Sequence, residues 1–422
     1  MKLKLKNLLF FNLILASTAL VITQMTPVPR ALKYVVDIIN AFLVLYGILD
    51  YSRNRKRFYL PKGIKILLFS LIVTILVGFV INNPTILVFF WGGRNTYRGI
   101  VFFLLCIYYL RSDDEKKIFS VLNVLYIMHV VLLLFQFFVL GYKQDYLGGI
   151  FGIQQGGNAG SNLLLCIISA FVICDYFNKK ISAKRMIIIL LLNFAISAIS
   201  ELKIFFVEII FITLFMIITN KSIHRKLVSG LVLIASFAIG LSILYNLFPQ
   251  WIGFFSVEHL TKLLTSSRNL GGYSIDRFSG FPMLYKMFYK ANPAKILFGY
   301  GLGTADYSST MNFLVGYIYS RFSHTGYIFY SYAFMFIEQG IAGLISYISF
   351  FIYCTLYGLK RKNYNSHFTV SAIIALIMVL LFFYDTTTKI DCQYLAYSVI
   401  VIPFLRSNDM LFVIEEEKKH EE

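Results

Sequence analysis

The sequence has few charged residues, and this scarcity already limits its class. Asp, Glu, Lys and Arg make up 14% of the 422 residues, whereas hydrophobic residues make up 58%. A soluble globular domain has about 25% charged and about 45 to 50% apolar residues. The apolar surplus is too large for an ordinary core, so we predict an integral membrane protein and exclude disordered or collagen-like chains.

Cysteine is also scarce, and its placement indicates neither a metal centre nor a disulfide framework. The five cysteines lie singly in or beside apolar runs, without CxxC spacing or a histidine cluster. We expect them to be small core residues. Internal repeats and low-complexity linkers are lacking as well, so residues 1–422 are treated as a single membrane domain.

What the sequence does have is a series of long apolar runs. Twelve segments are candidates for membrane spans: 7–25, 34–50, 64–82, 86–110, 118–140, 163–178, 186–200, 204–219, 227–247, 341–358, 368–384 and 393–405. We predict an all-α, polytopic fold with about 12 transmembrane helices. The first run follows three lysines like a signal peptide, but we expect it to be a retained span.

The distribution of positive charge predicts the orientation. The net charge is +18, and with a cytosolic N-terminus 25 of the 39 Lys and Arg residues fall in cytosolic segments. The short external loops hold only five, so both termini are predicted to be cytosolic in a multi-pass protein of the cytoplasmic membrane. The charge then reflects topology, and no nucleic-acid partner is expected.

Most of the residues outside the spans fall on the predicted external side. A Gly-rich loop covers 141–162, and a large external loop covers 248–325 between the ninth and tenth spans; connections that long are usually functional. The large loop is expected to contain short amphipathic helices. In one of them Phe281, Leu284 and Phe288 would form the apolar face, opposite Lys286 and Lys290.

Arg94 and Arg98 lie inside the fourth span, four residues apart and therefore on one helix face. Charged groups at membrane depth are costly and usually serve a function. These arginines could instead hold the bundle together by pairing with a carboxylate such as Asp37 or Glu208.

Other polar residues of the spans have simpler explanations. Lys203 near the outer face could bind a ligand or extend its ammonium group to the interface. His129 is expected to be a core histidine with satisfied hydrogen bonds. Asp113, Asp114 and Glu115 are expected to form a solvated cytosolic cap.

The late external segment supplies further candidates. Arg268 and Arg277 are cations suited to a polyanion, and His324 could accept a proton near neutral pH. Gly299, Gly301 and Gly303 permit positive φ and a close backbone approach, either to a phosphate or simply in a tight turn. Together with Glu338, these residues fit a lipid-linked pyrophosphate at the outer leaflet, in chemistry that requires no metal or other cofactor.

The order of these motifs resembles the O-antigen and capsular polysaccharide polymerases (Wzy-type), in a superfamily shared with the O-antigen ligases. The resemblance covers nearly the whole chain. It rests on WGGRNTYRG, GIFGIQQGGNAGSN, SELK and the late series SSR, DRF, LFGYGLGT, SHTGYIF and IEQGIAG.

The resemblance implies a glycosyl transfer outside the cytoplasmic membrane. A glycan on undecaprenyl pyrophosphate would be passed to the terminal sugar of another lipid-linked repeat unit. Arg268 and Arg277, with Arg94, Arg98 and Lys203, would bind the pyrophosphate. His324 would be the base, with Glu338 as the second candidate. A flippase and a chain-length regulator are the implied protein partners, together with membrane lipid.

Two alternatives stay open. The first is ligase-type glycan transfer, although His324 is followed by Thr325 and a longer gap to Gly340 than in the ligase pattern. The second is a flippase or transporter for lipid-linked oligosaccharide, although such proteins usually have short loops and related halves.

Overall fold

The computed structural model describes residues 2–54, 59–220, 222–249, 252, 275 and 280–405. Over these residues the chain is helical and contains no strand, apart from one bridge between Tyr307 and Val315. The predicted all-α class is confirmed.

Fourteen helices are described, with short 3-10 turns between some of them. They are α1 (Lys2–Met25), α2 (Leu32–Asn54), α3 (Lys62–Asn82), α4 (Ile86–Tyr109), α5 (Glu115–Phe138), α6 (Asn158–Phe177), α7 (Ala183–Ile199), α8 (Lys203–Thr219), α9 (Ile223–Leu247), α10 (Gly280–Leu284), α11 (Tyr317–Phe322), α12 (Ser331–Lys360), α13 (His367–Tyr384) and α14 (Gln393–Ile400). A π-helical turn, Tyr285–Tyr289, continues α10.

Eight of these helices are long and apolar enough to cross a membrane: α1, α2, α3, α5, α6, α9, α12 and α13. Large apolar side chains such as Val80 and Ile218 are 78% and 79% exposed, as suits lipid contact better than water. The chain therefore has the character of a membrane-embedded protein. The other four predicted segments coincide with α4, α7, α8 and α14, which are shorter or less apolar, and the count of twelve crossings stays a prediction.

The long helices are joined mostly by short connections and alternate in direction. We call the end of the bundle where α1 ends and α2 begins the outer end, and the opposite end the inner end. At the inner end Lys6 pairs with Asp114 across α1 and α5. At the outer end the Gln24 side chain donates to that of Gln154 at 3.4 Å.

The centre of the bundle is formed by α6, whose apolar window is 94% buried. Its small residues Gly160, Ser161, Cys166 and Ala170 allow close helix packing. All five cysteines of the chain are buried and unbridged, which confirms their predicted core role.

The Gly-rich loop is not wholly a surface loop. Leu147 and Ile150 are fully buried, and the Gln136 side chain exchanges two hydrogen bonds of 2.8 Å with the backbone of Gly149. His129 lies beside this turn in the core, as predicted, but the expectation of satisfied hydrogen bonds is wrong. Neither ring nitrogen has a hydrogen-bond partner, because the neighbouring Gly149 and Phe151 offer no side-chain donor or acceptor.

The amphipathic helix expected between residues 278 and 288 is present from Gly280 onward as α10 with its π-helical turn, and residues 278 and 279 lie outside the described residues. Leu284 and Phe288 are buried, whereas Lys286 and Lys290 are exposed. Phe281 and Tyr285 remain 38% and 43% exposed. The helix lies against the bundle, since the Tyr289 hydroxyl donates to the Phe336 carbonyl at 2.5 Å.

Candidate functional site

A break in α12 organises the outer end of the bundle. Gly340 has φ 63° and ψ −159°, which interrupts the helical hydrogen bonds. Neighbouring backbone groups are paired instead with the loop at residues 299–303: Tyr300 N–H donates to Ile337 O at 2.8 Å and Gly301 N–H to Glu338 O at 2.9 Å. Such irregular backbone is tolerated at membrane depth only where protein covers it, and here the loop provides that cover.

The three glycines of this loop all adopt positive φ, as predicted: 68° at Gly299, 95° at Gly301 and 85° at Gly303. A Cβ at Gly299 would overlap the backbone of Glu338, and one at Gly303 would overlap the carbonyl of Val88 in α4. The absence of a Cβ at Gly299 and Gly303 thus allows the loop to pack closely between α4 and the α12 break.

Below the loop lies a group of charged and amide side chains that we call the outer ionic cluster. Its members are Asp37, Arg94, Asn95, Arg98, Asp306, Lys389 and Asp391. The guanidinium of Arg94 donates twice to Asp37 Oδ2, at 3.0 and 2.7 Å, and also lies over the ring of Trp91.

Arg98 pairs with Asp391, and its second terminal nitrogen donates to the Lys389 carbonyl at 2.6 Å. The ammonium of Lys389 lies 2.9 Å from Asp306 Oδ2, which also accepts from Asn95 at 2.9 Å. The structure therefore shows the pairing alternative for both arginines. Asp37 was a predicted partner, whereas Glu208 was a wrong one because its carboxylate faces α6.

Sequence reasoning did not find Asp306, Lys389 and Asp391 as partners. The available signal was their position: Asp306 ends the loop motif GYGLGTAD, and the other two lie in TTKID just before the last apolar run. Charged residues that border a predicted span on the same side as the arginines were reasonable partners.

Glu338 lies just before the α12 break and is 1% exposed. Its Oε1 accepts from the Ala305 N–H at 3.0 Å, whereas its Oε2 has no hydrogen-bond partner. The charges of Lys389 and Asp306 both act on this carboxyl. Tyr327 donates to the Ala305 carbonyl at 2.7 Å, and burial raises the pKa of this phenol, so that it remains a donor.

His324 occupies a different setting from Glu338. It is exposed, in the 3-10 turn Ser323–Thr325 that ends at Gly326 with φ 85°. The next residue, Thr325, accepts a backbone hydrogen bond from Ile275 at 2.9 Å. Ile275 precedes Arg277 by two positions in the sequence. Arg268 and Arg277 themselves lie outside the described residues.

Lys203 is separate from the outer ionic cluster. Its ammonium pairs with Glu201 at 2.7 Å on the turn between α7 and α8. Glu201 was not considered as its partner, although the two residues are close in sequence. Among the described side chains, no three His, Cys, Asp or Glu residues are grouped so as to hold a metal ion.

A small cavity of about 10 Å³, room for about one water molecule, adjoins the cluster and is bordered by Thr96, Phe334, Thr388 and Lys389. Pockets for drug-sized ligands have about 300 to 1,000 Å³. This cavity is therefore far too small for an oligosaccharide repeat unit.

No protein-family model matches the sequence, and the comparison with curated proteins finds no significant match. The resemblance described above therefore rests on its motifs alone.

Proposed function

We propose that the protein is a polysaccharide polymerase of the cytoplasmic membrane, with about twelve spans and cytosolic termini. It would transfer a glycan from undecaprenyl pyrophosphate to the terminal sugar of another lipid-linked repeat unit on the outer face. The charge distribution supports the orientation, and the outer ionic cluster lies at the end of the bundle where the lipid pyrophosphate would arrive.

The observation that carries the proposal is the hydrogen bond between Ile275 and Thr325. It joins Ile275, which precedes Arg277 by two positions in the sequence, to the turn that contains His324. A cation and a base on adjacent segments are what glycosyl transfer from a pyrophosphate requires.

The proposed reaction is a substitution at the anomeric carbon of the donor. The acceptor hydroxyl oxygen forms the new glycosidic bond while the bond to the pyrophosphate oxygen breaks. Arg268 and Arg277 bind the departing diphosphate and stabilise its charge. The base takes the hydroxyl proton, and undecaprenyl pyrophosphate leaves.

Exposure favours His324 over Glu338 as the base. A general base must come within hydrogen-bond reach of the hydroxyl that it deprotonates. His324 is exposed, whereas the buried Glu338 is held against Ala305 by the loop. Glu338 would then act as a positioning residue. Arg94, Arg98 and Lys203 would contribute to diphosphate binding only by exchanging their present carboxylates for phosphate.

Reconstitution of the purified protein with lipid-linked repeat units tests the proposal. Wild-type protein should extend the repeat unit into a ladder of products on a gel. Arg268→Ala and Arg277→Ala should yield no product longer than one repeat. Lys290→Ala is the matched control, because it removes an exposed cation from the same segment and should leave the ladder unchanged.

The same assay separates the two candidate bases. His324→Gln should slow extension by about 10²- to 10⁴-fold, the usual contribution of a general base. A full ladder from both arginine variants would remove the proposed site. If His324→Gln were fully active while Glu338→Gln were inactive, the base would be Glu338.

A flippase is the second candidate, because the break in α12 resembles the interrupted helices of transporters. In cells that lack a flippase, repeat units would fail to appear on the outer face. In cells that lack a polymerase, they would appear there as single units. Surface labelling of the glycan in a deletion strain therefore distinguishes the two functions.

A further inference from the structure

Glu208 is a buried carboxyl that the proposed reaction does not use. It is the sixth residue of α8 and is 0% exposed. Its Oε2 accepts from Asn162 Nδ2 at 2.7 Å and from Cys166 Sγ at 3.1 Å. Asn162 and Cys166 are four residues apart on α6, so one face of that helix supplies both donors.

Among the side chains of Glu208, Asn162 and Cys166, two oxygens have no hydrogen-bond partner: Glu208 Oε1 and Asn162 Oδ1. Both residues are at most 1% exposed. None of the ion pairs described for the chain includes Glu208, and the charge that acts on it is that of another acid, Asp385. As far as the described residues show, an ionised carboxylate here would be buried without a counter-charge, which is strongly unfavourable.

We propose that Glu208 is a proton-binding site, with the proton carried on Oε1. A protonated carboxyl provides one O–H donor and keeps acceptors free, which fits an Oε2 that already accepts two bonds. The Cys166 thiol is a soft group and a poor ligand for sodium or another hard cation. Ionisable residues at membrane depth often form proton relays, so this site is a candidate for coupling to the proton gradient.

The groups around Glu208 determine what its titration can change: binding or loss of its proton alters the charge between α6 and α8. Cys166 on α6 and Asp385 after α13 are the titratable groups that act on it. Other titratable residues of α6, α7, α9 and α13 lie toward the inner end, apart from the phenols Tyr245 and Tyr384. Loss of the proton would place a negative charge at the α6–α8 interface and weaken the packing there.

Labelling with dicyclohexylcarbodiimide, which reacts with protonated carboxyls in apolar surroundings, tests the site in the full-length protein. The Glu208 oxygen adds to the carbodiimide carbon and the proton moves to nitrogen, so no leaving group or oxidant is involved. Peptide mass spectrometry should find Glu208 labelled at mildly acidic pH. Above its titration point the labelling should fall about tenfold per pH unit, as a single proton requires.

Two controls test whether the labelling of Glu208 reports a bound proton. Glu201, on the turn that precedes α8 and paired with Lys203, should stay unlabelled. Labelling should be the same in sodium and potassium salts, and protection by sodium alone would overturn the proton assignment in favour of a sodium site.

A second measurement covers the case in which the reagent does not reach Glu208. Glu208→Gln imitates the protonated form, so its thermal midpoint should match the wild type at acidic pH and exceed it at alkaline pH. If this variant is less stable than the wild type at both pH values, Glu208 is ionised and the proposal fails. Because neither measurement uses glycan substrate, the proposal stands apart from the polymerase function.

Discussion

The two ends of the bundle each contain a group of charged side chains, but the two groups differ in how fully their polar atoms are hydrogen-bonded. At the inner end, His367 of α13 lies between Glu115 and Asp175, at 2.6 and 2.9 Å. Lys180 lies 3.0 Å from the second ring nitrogen, and Asn365 donates to Glu115 at 2.7 Å. The ring can donate to Asp175 when protonated or accept from Lys180 when neutral, so this inner cluster is satisfied in either state.

The outer ionic cluster balances three cations with three carboxylates, yet polar atoms within it and beside it lack partners. Arg98 Nε and Glu338 Oε2 are buried without a hydrogen bond. Satisfied networks make a fold rigid, whereas unpaired buried polar atoms call for an explanation such as catalysis or binding. We therefore propose a structural role for the inner cluster and a functional one for the outer ionic cluster.

The largest change should come from breaking the most buried pair of the outer ionic cluster. The side chains of Lys389 and Asp306 are only 9% and 6% exposed. Lys389→Ala would leave Asp306 buried without its cation, and we expect the free energy of unfolding to fall by about 3 to 5 kcal/mol. Denaturant titration in detergent micelles measures this loss.

A double variant provides the control for Lys389→Ala. Asp306→Asn with Lys389→Met removes both charges and should recover most of the stability, because a buried pair can often be replaced by neutral groups. A loss below about 1 kcal/mol in the single variant would instead indicate a solvated pair. The contrast between the inner cluster and the outer ionic cluster would then disappear.

The next largest effect should come from the loop that covers the cluster. At Gly303, alanine would meet both the positive φ and the Val88 carbonyl of α4. We expect a loss of about 3 kcal/mol: about 1 from the left-handed backbone and about 2 from overpacking.

Gly156→Ala is the matched control for Gly303→Ala. Its φ is 78°, but no atom lies within 4 Å of the added Cβ. It should lose only about 1 kcal/mol. Equal losses in both variants, measured by the same titration, would show that the loop does not depend on its contact with α4.

The sequence predicted local features of this arrangement well and long-range ones poorly. The arginines of α4 and the glycines near residue 300 follow from hydropathy and from glycine's backbone freedom, which are properties of short segments. The partners Asp306 and Asp391 depend on which loops meet at the outer end, and no spacing within one segment encodes that. The break at Gly340 was missed because a glycine inside an apolar run does not by itself interrupt a helix.

The inner cluster shows the same limit. Asp114 and Glu115 were expected to be solvated, and that expectation is wrong: their side chains are 16% and 15% exposed and pair with Lys6 and His367. We expected them to be solvated because they are charged and because their partners lie more than a hundred residues away along the chain.

The smallest effect should come from His367→Gln in the inner cluster. Glutamine keeps a donor for one carboxylate and loses the other bond. Because Glu115 and Asp175 are partly exposed, we expect a loss of about 1 to 2 kcal/mol. Activity per folded molecule in the reconstituted assay should match the wild type, since the inner cluster completes its hydrogen bonds without a ligand. If activity fell tenfold or more while stability changed little, completeness of hydrogen bonding would not separate structural from functional groups in this bundle.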